Sequence, residues 1–362
     1  VRGTREARPI SYDERGRCWK ISVPFPEVVY EAEGKGTWRA FQIAFLLMSV
    51  RSAVDGGVAD RKTVELIWFP TGGGKTEAYL GLSAFSMFVR RLRNPADAGV
   101  NVLMRYTLRL LTAQQFQRAS GLITAMEYLR RVEAGRLGGE PFSIGIWLGD
   151  STTPNKRSDA IHVHRELLRG ERAATNKFIL SRCPWCGAQM GPLKSTARLP
   201  RNISRCPGYE RDGPTISLKC TDSGCNFSTG LPVFVIDEDI YERRPTLVIG
   251  TVDKFAMLAW EPKARSLFGL STSGQRDISP PGLIIQDELH LISGPLGSMV
   301  GLYEGVIEEL CTDRRVDPPV IPKIVSSTAT IRRYEDQVKS LYGRTSVALF
   351  PPPGLTAGDS FF

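Results

Sequence analysis

A glycine-rich loop is the first feature of this sequence that could do chemistry. The string runs Phe69, Pro70, Thr71, Gly72, Gly73, Gly74, Lys75 and Thr76, between an apolar run and a helical stretch. Glycines let backbone N–H groups curl around phosphate oxygens, and a helix that starts here adds its positive end. Lys75 would reach the β- and γ-phosphates, and the Thr76 hydroxyl would hold Mg²⁺. Although Phe69 stands where the general pattern has a glycine, the loop predicts a phosphate-binding site.

Two adjacent carboxylates form the second motif. The apolar run 283–286 is followed by Asp287, Glu288, Leu289 and His290. Ligands of open α/β sheets bind at the carboxyl ends of strands, where these side chains would lie. Asp287 would hold Mg²⁺, while Glu288 would orient and deprotonate an attacking water. Alone, such a pair could equally cap the next helix. Beside a phosphate-binding loop, it predicts hydrolysis of a nucleoside triphosphate.

Alternating strands and helices must position these motifs. Apolar, β-rich runs lie at 64–69, 101–106, 142–148, 246–250, 283–286 and 323–326. Helical stretches follow most of these runs, and another precedes the first one at 38–50. Such alternation is typical of parallel sheets with crossover helices. We therefore predict an α/β fold with a doubly wound parallel sheet.

Seven cysteines include two close pairs, Cys183 with Cys186 and Cys220 with Cys225. Without a secretory signal, paired cysteines favour metal binding over disulfides. Two such knuckles can surround one zinc ion with four thiolates, as in structural sites. The spacing between the pairs is longer than usual, so reduced, unpaired cysteines are the alternative, and Cys206 is a possible substitute ligand. His162 and His164 are expected to be surface residues rather than ligands.

The cysteine pairs lie in a long interval, from Gly149 to Thr246, without a clear strand–helix unit. A structureless loop of this length is rare in a compact domain, so we predict an insertion. The expected organisation is an N-terminal extension at 1–36, a lobe at 37–150 and 246–350, a basic zinc-ribbon-like insertion at 151–245, and a linker at 351–362.

Composition is that of an ordinary globular protein, with 362 residues, 42% of them apolar and 23% charged. These values exclude a disordered chain, a collagen-like fibre and a small disulfide scaffold. The net charge of +9 is uneven: residues 90–136 carry +6 and residues 156–219 carry +8. Two basic zones predict a polyanion partner, and solvated helix faces are the alternative. No apolar run reaches the length of a membrane span.

Together the motifs resemble those of a superfamily 2 helicase of the DExH kind. The strings at 70–76 and 287–290 are similar to motifs I and II of that family, and those at 105–110, 250–255 and 326–330 to motifs Ia, Ib and III. The resemblance implies a RecA-like motor lobe that uses ATP and Mg²⁺. It also implies that Gln42, in the segment 38–42, recognises adenine.

The resemblance assigns further roles by position. Catalysis would fall to Lys75, Asp287, Glu288 and His290; nucleotide binding to Gln42, Thr71, Gly72, Gly73, Gly74, Lys75 and Thr76; nucleic-acid contact to Arg105, Thr107, Arg109, Thr251 and Lys254; and coupling to Ser327, Thr328 and Thr330. Contacts to the phosphate backbone of a nucleic acid give affinity that does not depend on the base sequence. Four of the cysteines, Cys183, Cys186, Cys220 and Cys225, would hold structural Zn²⁺, and Thr76 with Asp287 would hold Mg²⁺.

Longer strings at 105–112, 145–150 and 286–297 resemble the helicase of DISARM anti-phage systems. This resemblance implies a bacterial cytoplasmic protein that acts on DNA, either single-stranded or with a single-stranded end, beside a protein partner subunit. Two other functions stay open at this point: a duplex-DNA translocase of a restriction or remodelling complex, and a nucleotide-gated DNA-binding sensor. Strand displacement would separate the helicase from the translocase, and tight DNA binding with little stimulated turnover would mark the sensor.

Nothing after Thr330 resembles motifs IV to VI, which belong to the second motor lobe of this family. That lobe supplies arginines to the γ-phosphate, and such an arginine contributes roughly 10³–10⁵-fold in rate. We therefore expect this chain alone to hydrolyse ATP poorly. A start at Val1 without an initiator Met suggests a piece of a longer protein, with the second lobe expected beyond Phe362.

Overall fold

The computed structural model describes residues 7–13, 15–16, 18–21, 23–24, 37–69, 73–171, 174–193, 204–329 and 333–352. For Cys18 and residues 109–111 it describes the backbone alone. Within these residues, no helix is both long and apolar enough to cross a bilayer.

Twelve strands lie in the described part of the chain. They are β1 (Ile10–Asp13), β2 (Cys18–Ile21), β3 (Val64–Trp68), β4 (Val102–Tyr106), β5 (Ile144–Trp147), β6 (Tyr209–Asp212), β7 (Thr215–Leu218), β8 (Val233–Phe234), β9 (Leu247–Thr251), β10 (Leu283–Gln286), β11 (Lys323–Thr328) and β12 (Val347–Phe350).

The same residues contain eight α-helices: α1 (Ala40–Val54), α2 (Lys75–Arg93), α3 (Arg109–Val132), α4 (Ala134–Leu137), α5 (Arg157–Arg169), α6 (Asp237–Arg243), α7 (Gly294–Cys311) and α8 (Tyr334–Tyr342). Short 3₁₀ helices span Ala59–Lys62, Val252–Ala259, Pro262–Phe268 and Leu289–Leu291.

The chain divides into two compact units. The first comprises the described residues of Val1–Gly36, Ala113–Glu133 and Pro141–Arg243, and the second those of Thr37–Thr112, Ala134–Glu140 and Arg244–Phe362. The second unit contains six parallel strands in the order β12-β3-β11-β10-β4-β9. Five of these six strands are buried along almost their whole length, as expected for a parallel sheet covered by helices on its faces.

Each of the six apolar runs predicted from the sequence forms a strand, and the helical stretch predicted after the glycine-rich loop is α2. The predicted α/β class, a parallel sheet with flanking helices, is therefore confirmed. Because the strands are parallel, the residues that follow β3, β4, β9, β10 and β11 lie at one edge of the sheet. Both chemical motifs follow strands of this set.

The first unit is built from smaller pieces. Strands β5 and β8 form a parallel pair, while β1 with β2 and β6 with β7 form antiparallel pairs. The interval 149–246 thus contains α5, the β6–β7 hairpin, β8 and α6. Short strands and helices organise it where the sequence shows no strand–helix unit.

Buried arginines tie loops together in the second unit. Arg61 is 5% exposed and donates to the carbonyl oxygens of Ser52, Ala53, Gly282 and Ile321. Burial lowers its pKa to about 10. Charged donors bonded to carbonyls satisfy backbone oxygens that would otherwise be buried without a partner.

Two further arginines of this unit, Arg91 and Arg344, are also buried. Arg91 donates to the carbonyls of Leu137 and Glu140, and Arg344 donates to that of Pro322. These guanidinium groups therefore connect main-chain segments rather than face solvent.

Candidate nucleotide site

The end of the glycine loop is fastened to helix α1. Gly74 precedes α2 with φ of +97°, a left-handed conformation that glycine adopts without strain. Nε2 of Gln42 donates to the Gly74 carbonyl at 2.9 Å, and Oε1 of Gln42 accepts from the Arg39 backbone N–H. Arg39 in turn donates to the Gly73 carbonyl. Each end of the Gln42 amide thus makes one hydrogen bond within the protein, so its second N–H and the second lone pair of Oε1 could still pair with adenine.

Thr71 and Gly72 lie outside the described residues. Lys75, the first residue of α2, is 7% exposed, and its Nζ lies 4.0 Å from Oε1 of Glu288. Among the described residues, Nζ has no hydrogen-bond partner. An ammonium that is buried without hydrogen bonds is costly unless an anion completes the site.

Asp287 is held by three donors. Its Oδ1 accepts from the Ser327 hydroxyl and from the Glu288 backbone N–H, and its Oδ2 accepts from the Tyr79 hydroxyl at 2.9 Å. The Tyr79 hydroxyl also lies 3.1 Å from Oγ1 of Thr76. The two predicted magnesium ligands, Thr76 and Asp287, are therefore joined through one phenol.

Sequence reasoning missed Tyr79 in this cluster. It lies in α2, one turn after Thr76, and an aromatic residue at that spacing reads as a core residue. Burial raises the pKa of Tyr79 well above 10, so the phenol keeps its proton at neutral pH. The signal that the sequence offers for Tyr79 is its position in the helix, one turn after the pair Lys75 and Thr76.

The remaining motif residues meet next to Asp287. Glu288 has φ of +52°, a left-handed conformation that is strained for a residue with a side chain. Nδ1 of His290 lies 3.4 Å from Oε2 of Glu288 and 3.2 Å from Oγ1 of Thr328. Lys75, Asp287, Glu288, His290, Ser327 and Thr328 therefore form one connected polar cluster, and Thr330 lies outside the described residues.

This cluster can bind a phosphate chain with its cation. The backbone around Gly74 and the Lys75 ammonium suit phosphate oxygens, while the Thr76 hydroxyl and the Asp287 carboxylate suit Mg²⁺. Glu288 lies close to the lysine and the histidine, and its carboxylate is a group that can orient a water molecule and accept its proton.

The predicted nucleic-acid residues are largely buried. Arg105 is 0% exposed, its Nη1 lies 2.5 Å from Oε1 of Glu304 in α7, and its guanidinium lies over the Phe255 ring. A phosphate cannot reach that guanidinium in this structure. The backbone carbonyl of Arg105 accepts from the Asp287 N–H, which links β4 to the carboxylate motif.

Two hydroxyls next to Arg105 have unmet hydrogen-bond capacity. Oγ1 of Thr107 and Oγ1 of Thr251 are buried and have no partner among the described residues. Thr251 is the last residue of β9 and pairs in register with Tyr106, and Thr107 directly follows β4, so both hydroxyls lie at the edge of the sheet that carries the nucleotide cluster. Lys254 is 4% exposed, and the side chain of Arg109 is not described.

The basic zone at 90–136 is largely paired within the protein. Arg90 forms an ion pair with Asp97, and Arg130 and Arg131 both bind Glu127. Arg91 and Arg105 are buried, as described above. Five of the nine arginines of this zone are therefore engaged by contacts within the protein, and two of these five, Arg91 and Arg105, are too deeply buried to reach a polyanion.

The four paired cysteines come together as predicted. Their sulfur atoms all lie within 4.8 Å of one another, and all four residues are buried. Zinc bonds of about 2.3 Å in a tetrahedron place sulfurs roughly 3.8 Å apart, which fits this cluster. Cys206 is buried but is not part of the four-sulfur group. The side chains present therefore fit a structural zinc ion.

Aromatic rings pack around the cysteine cluster in the first unit. Trp185, between the first two cysteines, stacks on Tyr128 with centroids 5.0 Å apart and packs edge-on against Phe227. The N–H of Cys220 donates to the Phe227 carbonyl, which fixes the second knuckle. The packing of Trp185 thus positions the first cysteine pair, and the backbone hydrogen bond of Cys220 positions the second pair.

The expectation for one histidine was wrong. His162 is 68% exposed and pairs with Glu166, but His164 is 8% exposed. Nε2 of His164 lies 3.2 Å from the Tyr209 carbonyl, and its ring packs edge-on against Phe178. The two residues lie on opposite sides of α5 because they are two positions apart on a helix.

Comparison with known proteins gives one relative with substantial identity. No protein-family model matches the chain. The DISARM protein DrmA of Bacillus paralicheniformis is 42% identical in an alignment that covers 90% of this chain and 32% of that protein. The chain thus spans about a third of the length of this relative.

Two solved structures are similar at lower identity. The DUF1998 helicase MrfA matches at 13% identity with a TM-score of 0.41, covering 87% of this chain and 30% of that one. The DEAD-box helicase Mss116 matches at 10% identity with a TM-score of 0.42, covering 90% of this chain and 46% of that one. The expected resemblance to a DISARM protein is confirmed by the identity to DrmA across nine-tenths of this chain.

Proposed function

We propose that this chain is the first motor lobe of an ATP-dependent DNA helicase or translocase of bacterial anti-phage defence. The observation that carries the ATP site is the Lys75 ammonium, which is buried without a hydrogen-bond partner among the described residues and faces Glu288. The 42% identity to a DISARM protein supports the role in defence.

In this proposal, residues of this chain bind the phosphates, hold Mg²⁺ and activate the attacking water. The backbone at Gly73 and Gly74 and the Lys75 ammonium bind the phosphates, and Thr76 with Asp287 holds Mg²⁺, which neutralises phosphate charge when bound. Glu288 orients the attacking water and takes its proton. The His290–Thr328 contact connects Glu288 to β11, and Ser327 and Thr328 with Thr330 would relay the nucleotide state.

Nucleic-acid contact is proposed for the loops that follow β4 and β9. The unpartnered hydroxyls of Thr107 and Thr251 support it, since phosphate oxygens are strong acceptors. Arg109 and Lys254 remain proposed contacts, whereas Arg105 would first have to leave Glu304. DNA that is single-stranded or has a single-stranded end is the proposed substrate.

Zinc is proposed as the structural ion of the four-cysteine cluster. Four closed protein ligands leave no position for a substrate, so the ion would fasten the small elements around it. The proposed organisation keeps the lobe at 37–150 and 246–350 and the insertion at 151–245. A protein partner subunit and a cytoplasmic location are proposed with the DISARM assignment.

The test measures ATP hydrolysis by the full-length protein with and without single-stranded DNA, beside a Glu288→Gln variant. We expect strong stimulation by DNA, loss of hydrolysis of about 10²-fold or more in the variant, and nucleotide binding that the variant retains. DNA binding without stimulated turnover in the unaltered protein would contradict the motor and support a nucleotide-gated sensor.

A further inference from the structure

Tyr79 occupies the space between the two proposed magnesium ligands, and neither the motifs nor the proposed mechanism gives it a role. The side chain is 1% exposed. Its hydroxyl oxygen lies 3.1 Å from Oγ1 of Thr76 and 2.9 Å from Oδ2 of Asp287. All three residues belong to the second unit.

The direction of these hydrogen bonds follows from counting protons. A phenol has one proton, and an ionised carboxylate can only accept, so the Tyr79 hydroxyl donates to Asp287. In the contact between Thr76 and Tyr79, the threonine must therefore be the donor. The Thr76 proton then points at the phenol, and the lone pairs of Oγ1 stay free.

Free lone pairs are what a cation requires of a hydroxyl ligand, because a proton aimed at the metal would repel it. Asp287 is fixed at the same time, since Ser327 and the Glu288 N–H hold Oδ1 while Tyr79 holds Oδ2. A tyrosine phenol carries its proton at neutral pH. The hydroxyl of Tyr79 therefore acts on both ligands at once.

We propose that Tyr79 is a positioning residue for Mg²⁺: its hydroxyl accepts the Thr76 proton and anchors the Asp287 carboxylate, so that both oxygens are oriented before the cation arrives. The inference rests on the proposed nucleotide site and goes beyond it, since it assigns the cation's affinity in part to a residue that never touches the cation.

The experiment titrates Mg²⁺ into the full 362-residue chain with a fluorescent ADP analogue and records nucleotide binding, with a parallel measurement in EDTA. Tyr79→Phe removes one hydroxyl and keeps the ring. Tyr342→Phe is the matched control, because Tyr342 is a buried tyrosine of the same unit whose hydroxyl lies 3.5 Å from Ser326, away from Thr76. A Lys75→Ala variant tests the nucleotide site itself.

We expect Tyr79→Phe to raise the Mg²⁺ concentration at half-saturation about threefold to tenfold, the size of one buried hydrogen bond. Nucleotide affinity in EDTA should stay the same, and Tyr342→Phe should match the unaltered chain. In a Thr76→Ala background the Tyr79 substitution should have a smaller effect, because two residues that act through one contact are not additive.

An unchanged Mg²⁺ dependence in Tyr79→Phe would overturn the inference, and so would an equal loss of affinity in EDTA or full additivity with Thr76→Ala, since these mark a purely structural residue. Failure of the nucleotide site has a different signature. In that case the unaltered chain and Lys75→Ala would bind the analogue equally poorly with or without Mg²⁺, and both proposals would fall.

Discussion

Gly74 shows how one residue can determine the shape of the candidate site. A Cβ atom at this position would lie 2.7 Å from Nε2 of Gln42, and the backbone has φ of +97°. A side chain therefore meets both a steric and a conformational penalty. The glycine is required where the loop turns into α2 and touches α1.

We predict that Gly74→Ala lowers the free energy of unfolding by about 1–3 kcal/mol, from left-handed strain plus displacement of Gln42, and that it weakens nucleotide binding. Urea denaturation and binding of a fluorescent ADP analogue measure the two effects. Gly343→Ala is the control, because Gly343 also has positive φ but has open space around its Cβ position. Equal losses of binding in both variants would contradict the role of the Gln42 contact.

Arg105 and Glu304 form a buried ion pair, so each partner depends on the other. We predict that Arg105→Met costs about 3–5 kcal/mol of stability, because it leaves a buried carboxylate without its counter-ion. The double variant with Glu304→Met should lose much less. Urea denaturation of the single and double variants provides the measurement, and a double variant less stable than the single one would refute the pairing.

The residue types of the site were readable from the sequence, but their accessibility was not. Lys75, Asp287 and Glu288 follow predicted strands, and the parallel sheet brings them together. Arg105 also follows the expected pattern by position, yet Glu304 lies 199 residues further on and cannot be paired with it from the sequence. Long-range partners such as this one decide whether a charged residue faces solvent.

Helix α5 contains a histidine that makes the stability of the folded protein depend on pH. Burial lowers the pKa of His164, so the unfolded chain takes up a proton more readily than the folded one. Stability therefore falls as pH decreases through the unfolded value of about 6.5 and below.

We predict that His164→Gln flattens this dependence, since glutamine can still donate to the Tyr209 carbonyl and does not titrate. Thermal melts between pH 5 and pH 8 are the readout. His162→Gln, an exposed position of the same helix, should keep the slope of the unaltered chain. If the pH dependence of stability persists in His164→Gln, another titrating group causes it.

The two cysteine knuckles give a prediction about metal content. We expect about one zinc ion per chain after purification without chelator, and Cys220→Ser should lose most of it and lower the melting temperature. Cys206→Ser is the matched control, because Cys206 is a buried cysteine outside the four-sulfur group. The zinc content per chain is measured by mass spectrometry. Retention of zinc in Cys220→Ser would contradict the proposed zinc site.

Strands with long apolar runs could be predicted from the sequence, and short strands could not. The long apolar runs that form β3, β4, β9, β10 and β11 predict strands, because buried parallel strands are continuously apolar. By contrast, β8 has two residues and the β6–β7 hairpin has four in each strand. Such strands depend on neighbours that are distant in sequence, so local pattern cannot define them.

At the scale of the whole molecule, the nucleotide cluster lies entirely in the second unit and the cysteine cluster entirely in the first. Each unit therefore carries one of the two proposed ion sites. A chelator that removes zinc should act on the first unit, and a substitution such as Gly74→Ala on the second.

The buried arginines have a consequence for how the protein meets its surroundings. Among the described residues, nine lysines and arginines but only six carboxylates are buried. Three of the nine formal net positive charges thus belong to the interior, where Arg61, Arg91 and Arg344 bind main-chain carbonyls. A buried cation still counts toward the net charge on which an electric field acts, but its side chain cannot touch the beads of an ion-exchange resin. The chain should therefore migrate in an electric field as its isoelectric point of 9.3 implies, while fewer of its cations are exposed to bind a cation-exchange resin directly.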